Sequence, residues 1–68
     1  MINANKLKGK IVECGLSVEK MAKKLGVEAS TVYRKMNGES EFTVGEVSKI
    51  AAILSLSDDD LTSIFFAS

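Results

Sequence analysis

Sixty-eight residues, 46% hydrophobic and 26% charged, make one small domain that buries on the order of 60% of its unfolded surface. With no histidine and a single cysteine, Cys14, the usual metal sets of two or more Cys or His ligands, an internal disulfide and every Cys-His or Ser-His catalytic pairing are excluded. Net charge is zero, yet residues 1–37 hold eight cations against three acids, a net of +5, while residues 38–68 hold one cation against six acids, a net of −5. The first part is suited to a polyanion, and the second is expected to stay away from it.

The longest apolar run, Ile50 to Leu54, is far below the roughly 20 residues that span a bilayer, and the N-terminus has no apolar signal region. A cytoplasmic, untargeted chain without a membrane role is expected. With no proline and apolar residues spaced by three and four, residues 1–68 read as one all-α domain of five helices. The first helix, about Ala4 to Cys14, places Leu7, Ile11 and Cys14 on one stripe, so Cys14 is expected to be a buried small hydrophobe. Gly9 within it costs about 1 kcal/mol against alanine, and Gly15 stops it.

Ser17 is the natural N-cap of a second helix, about Val18 to Leu25, with Leu16 stapling onto Met21 and with Met21, Ala22 and Leu25 facing inward. Gly26 breaks it, Val27 fills the corner, and a third helix starts near Glu28 and runs to Asn37-Gly38. Thr43 to Glu46 is a capping box inside a Phe42–Val47 staple, opening a fourth helix whose inward stripe is Val47, Ile50, Ala51 and Leu54. The device recurs where Ser57 caps a fifth helix and Leu56 staples to Leu61. Asp58, Asp59 and Asp60 then lie in the first turn, where the helix dipole favours anions, which accounts for them without a divalent cation. Leu61, Ile64 and Phe65 continue the inward stripe, whereas Ile2 and Phe66 lack a place in it, and an exposed terminal aromatic points to a partner surface.

The most informative segment is Ser17 to Gly38. Two short helices joined by a tight glycine turn must cross steeply, and Ala22, Gly26 and Val32 supply the small and compact residues that such a crossing needs. Through Gly15-Leu16-Ser17, Met21-Ala22, Leu25-Gly26-Val27, Ser30-Thr31-Val32 and Asn37-Gly38 the chain resembles the lambda-repressor and Cro-like (XRE-type) helix-turn-helix regulators, small phage Cro-like members in particular. The resemblance implies a compact five-helix lambda-repressor-like domain with its helix-turn-helix at about 17–38.

It also implies a function, in which the recognition helix, residues 28–37, enters the major groove of a double-stranded DNA operator. Carried over by position, Ala29, Ser30, Thr31, Tyr33 and Arg34 would face base edges, with Arg34 able to take guanine O6 and N7 in one fork. Ser17, the Val18 amide, Asn37 and Ser40 fall at phosphate-contacting places, and Lys10, Lys20 and Lys35 are nearby cations. One helix reads few base pairs, so a homodimer on a pseudo-palindrome is expected, with Phe65, Phe66 and the last helix as its interface. No cofactor, metal or small-molecule ligand is implied, and no enzymatic activity.

Several positions depart from the family pattern. Val18 stands where a Gln is common and Glu28 where the recognition helix usually has a Ser or Thr cap, and both predict weaker DNA binding. Ile11 and Met36 replace a common arginine–acid pair by apolar packing, and Lys35 takes a usually apolar place, its stem over apolar atoms and its amine toward DNA. These departures, with the terminal phenylalanines, keep a second expectation open: a module of the same fold that binds another regulator protein.

Overall fold

The chain forms α1 (Ala4–Glu13), α2 (Val18–Leu25), α3 (Ala29–Met36), α4 (Val44–Leu54) and α5 (Asp58–Phe65) in a computed structural model that describes residues 2–66. Four helices begin on a short polar side chain that accepts a hydrogen bond from the amide three residues on: Asn3 from Lys6, Ser17 from Lys20, Thr43 from Glu46 and Ser57 from Asp60, all at 3.1–3.2 Å. At α4 and α5 the bond is returned, since the Thr43 amide donates to Glu46 and the Ser57 amide to Asp60.

These two carboxylates give the fold a pH dependence. Glu46 is held below the ordinary carboxylate range, first by the hydrogen bond from the Lys35 ammonium and then by the Thr43 amide, and Asp60 is lowered first by the Ser57 amide. A depressed carboxylate stabilises the fold while ionised, so this contribution is complete above about pH 5 and is lost as pH falls through the lowered folded values. The thermal midpoint is expected to drop on acidification below about pH 5, and Glu46→Gln to flatten that drop. An unchanged profile in the variant would show that Glu46 is not one of its causes.

The helix ends share one device as well. After α1, α2, α3 and α4 the chain turns through a left-handed residue, and the next amide reaches back five residues: Leu16 to Ile11, Val27 to Ala22, Glu39 to Arg34 and Leu56 to Ala51. Leu16, Val27 and Leu56 pack half-buried against the core, so three turns are sealed by an apolar residue, while Glu39 is exposed. The fourth turn, after α4, uses Ser55 at φ 52° where the others use glycine. Left-handed backbone costs an L-residue roughly 1–2 kcal/mol, so Ser55→Gly is expected to stabilise by about 0.5–1 kcal/mol once glycine's greater unfolded-state freedom is deducted.

Gly9 is the converse case. It lies inside α1 with no neighbouring atom within 4 Å of where a Cβ would stand, so Gly9→Ala is expected to add up to about 1 kcal/mol. Denaturant titration of both variants checks the pair, and destabilisation by either would refute its assignment.

The core joins all five helices: Leu7 and Ile11 of α1, Val18, Met21, Ala22 and Leu25 of α2, Val32 and Met36 of α3, Ile50 and Leu54 of α4, and Ile64 of α5. Helix α2 is central, packing against α1, α3 and α4, and α1 closes against α5. Ile11 and Met36 are both buried in this cluster, so apolar side chains fill both places.

Two expectations are corrected. Cys14 is exposed, because α1 ends at Glu13 and the chain reverses at Gly15, which brings Leu16 back over the core; the thiol donates to the Leu54 carbonyl oxygen at 3.5 Å. Ile2 does find a place, packed on the core where the Asn3 amide donates to the Ile64 carbonyl at 2.7 Å. Phe65 is half-buried, as its place on the inward stripe predicts, with its ring edge-on to Phe42 at 5.7 Å, and Phe66 is 67% exposed.

Two cations of the first part of the chain pair with acids of the second. Lys10 lies 3.4 Å from Asp60 and 3.9 Å from Glu13, and Lys35 lies 2.6 Å from Glu46.

Candidate nucleic-acid interface

Burial alone sorts the residues of α3. Val32 and Met36 point into the core, Ala29, Thr31 and Lys35 are half-buried, and Ser30, Tyr33, Arg34 and Asn37 are exposed. The exposed four are spaced by three and four and so form one stripe along the helix and its C-cap. Of the five candidate base-reading residues, Ser30, Tyr33 and Arg34 lie on this stripe, whereas Ala29 packs partly on the core. Asn37, placed by sequence among phosphate contacts, shares the stripe, and its spacing of seven from Ser30 is the signal for it.

The turn that sets α3 against α2 is built on Gly26 at φ 82°, ψ 25°, a conformation that strains any residue with a Cβ. Its amide and that of Val27 both bond the Ala22 carbonyl, at 2.9 and 3.1 Å, so α2 ends and reverses direction within two residues. Ala22, buried at the centre of α2, then leaves room for α3 to come close.

A bond unforeseen from sequence joins the two helices on the outside. The Tyr33 hydroxyl donates to Glu19 Oε2 at 3.0 Å, and this hydrogen bond is the main reason that the phenol's pKa is raised. Tyr33 therefore leans toward α2. Residues fourteen apart on different helices give no periodic signal, so only the folded chain brings them together.

At the start of α2, the Ser17 hydroxyl accepts from the Lys20 amide and the Ser17 carbonyl from the Met21 amide, which leaves the Val18 and Glu19 N–H groups free at the helix end. The Val18 side chain is in the core, so a valine at this position anchors α2 instead of reaching outward. Glu28, at the start of α3, makes no side-chain cap, and the Ala29 and Ser30 N–H groups stay open as well. Ser40 is exposed in the turn between α3 and α4, and Lys20 is exposed and makes no ion pair among the described residues.

Two of the candidate cations are placed differently from expectation. The Lys35 amine does not face outward with Arg34: it donates to Glu46 Oε1 at 2.6 Å and sits 5.8 Å from the centre of the Phe42 ring, since α4's capping box presents a carboxylate beside it. Lys10 is turned to Asp60 of α5. Arg34 makes no ion pair among the described residues, so its guanidinium fork is free. Among these residues no group of three His, Cys, Asp or Glu is placed to hold a metal, and no helix is long and apolar enough to cross a membrane.

Comparison with known proteins agrees with this geometry. A family model described as a helix-turn-helix domain matches residues 12–63, which takes in all of α2, α3 and α4 and most of α5. No curated protein and no solved structure gives a match. Since the matched span is well over half of the sequence and contains the α2–Gly26–α3 unit with its outward stripe, the chain belongs to the helix-turn-helix domain family.

Proposed function

We propose that this protein is a sequence-specific DNA-binding transcriptional regulator of the small Cro-like (XRE-type) kind, a repressor that acts as a homodimer by occupying a pseudo-palindromic operator. The observation that carries the reading is the exposed stripe of α3: a short helix pinned by Val32 and Met36 turns Ser30, Tyr33, Arg34 and Asn37 to one side. Helix-turn-helix units read DNA by laying such a second helix in the major groove. Arg34 supplies the guanine fork, and Ser30 supplies a hydrogen bond that discriminates weakly. The open N–H groups of α2, Ser17, Lys20 and Ser40 hold the phosphate backbone. Lys10 and Lys35 are left out of that set because their amines are engaged within the protein.

Specific features favour a second reading, in which the same fold binds another regulator protein. Val44 is 88% exposed, Phe66 stands open, and the acids Glu19 and Glu28 flank α3. Selection of random duplex DNA at about 50 mM and about 200 mM salt separates the two, since phosphate contacts weaken steeply with salt while base reading enriches a motif. An enriched inverted repeat supports the dimeric regulator, an enriched single half-site supports DNA reading without the dimer, and no enrichment at either salt favours the protein-partner reading.

A further inference from the structure

Helix α3 has eight residues, too few to hold its place by its own helicity, and it rests principally on α2. A helix seated on one neighbour can rock about that contact, and Arg34 would swing with it. One polar link joins α3 to α4 among the described residues, the Lys35 Nζ bond to Glu46 Oε1 at 2.6 Å, with the two side chains only 14% and 17% exposed. The same carboxylate oxygen accepts the Thr43 amide at 2.8 Å, and the Phe42 ring lies beside the ammonium. Glu46 is thereby fixed by its own helix cap before it meets Lys35. Helix α4 is seated in turn on α2, with Ile50 and Leu54 buried in the common core, so the pair closes a triangle of α2, α3 and α4.

We propose that Lys35 and Glu46 are positioning residues for DNA reading, an ionic strut that sets the orientation of α3 and hence of Arg34, and that Lys35 is not a phosphate ligand. This rests on the DNA-binding reading of α3. The strut lies at positions 35 and 46, outside the exposed stripe, and acts through Arg34 without touching DNA.

Lys35→Met keeps most of the stem and drops the charge, and Glu46→Gln keeps an acceptor for the Thr43 amide and drops the charge. Binding of each, and of the double variant, is measured against the selected duplex and a random duplex over a salt series, with circular dichroism confirming the helical fold. The strut predicts that either single variant loses about fivefold to tenfold in the ratio of selected to random binding, a fraction of the discrimination that one bidentate base contact provides. It also predicts an unchanged salt slope and a double variant no worse than the singles.

A phosphate-contacting Lys35 would instead lower the slope by about 0.9 in Lys35→Met, and loss of the Glu46 charge would strengthen binding to both duplexes. Those results overturn the strut while leaving the DNA reading intact. So does a preserved discrimination ratio in folded variants that are merely less stable. If Lys35→Met does not fold, Glu46→Gln decides alone, because weakened discrimination on removal of a negative charge has no explanation in phosphate attraction. A wild-type protein that binds no duplex overturns the DNA reading and the strut together.

Discussion

Ile50→Ala is expected to destabilise the protein by about 2–5 kcal/mol, the range for deleting a large buried aliphatic side chain and leaving part of its volume empty. Ile50 is completely buried on α4. Close packing of the core leaves few ways to fill the space. A domain of this length seldom has more than about 3–5 kcal/mol in total, so the variant should unfold over a broad range near room temperature, not in a sharp transition. Thermal melts by circular dichroism check this, with Val12→Ala as control. Val12 is exposed, and its loss should move stability by no more than about 0.5 kcal/mol. A loss below about 1 kcal/mol at Ile50 would mean that α4 can collapse onto α2, and α4 would not be the firm anchor for Glu46 that the Lys35 strut requires.

The second large effect concerns recognition. On the proposed reading, Arg34→Ala removes the one planar fork on the exposed stripe and should cost about 1–3 kcal/mol on the selected duplex, with specificity relaxed at one base-pair position in each half-site. Arg34→Lys should restore it only in part, because an ammonium can reach guanine O6 and N7 but lacks the rigid planar fork that holds both at once. Lys20→Ala offers the contrast: affinity should fall about equally for all duplexes and the salt slope should drop by about 0.9. Comparison of the enriched motifs of the three variants decides the matter. An unaltered motif with Arg34→Ala removes Arg34 from its role.

The local structure is readable along the chain because its causes are local. Ser17, Thr43 and Ser57 each satisfy an amide three residues away, and Gly15, Gly26 and Gly38 each supply a positive φ at a helix end. Val18–Leu25 and the capping residue of α4 are where periodicity and capping place them, and Ala29–Met36 is one residue shorter at each end than expected. The Asn3 cap and the left-handed Ser55 are not among the expected features, and serine gives no sign of such a turn. The stripe of Ser30, Tyr33 and Arg34 is also legible, as helix period alone puts Val32 and Met36 on the other side.

The linear order of residues therefore determined five helices, most of their caps, the sharp α2–α3 turn and the side that α3 turns outward, all consequences of interactions that span five residues or fewer. Pairing of charges was another matter. Whether Lys35 meets phosphate or Glu46, whether Lys10 meets Asp60, and whether Tyr33 leans on Glu19 depends on which helices become neighbours. Cys14 and Ile2 show the same limit for apolar residues: one lies on the helical stripe and is exposed, the other lies outside any stripe and is covered. Burial near a chain end or a reversal is set by what folds back over it, and a long side chain's charge by the carboxylate that packing brings within reach, so both belong to the tertiary structure.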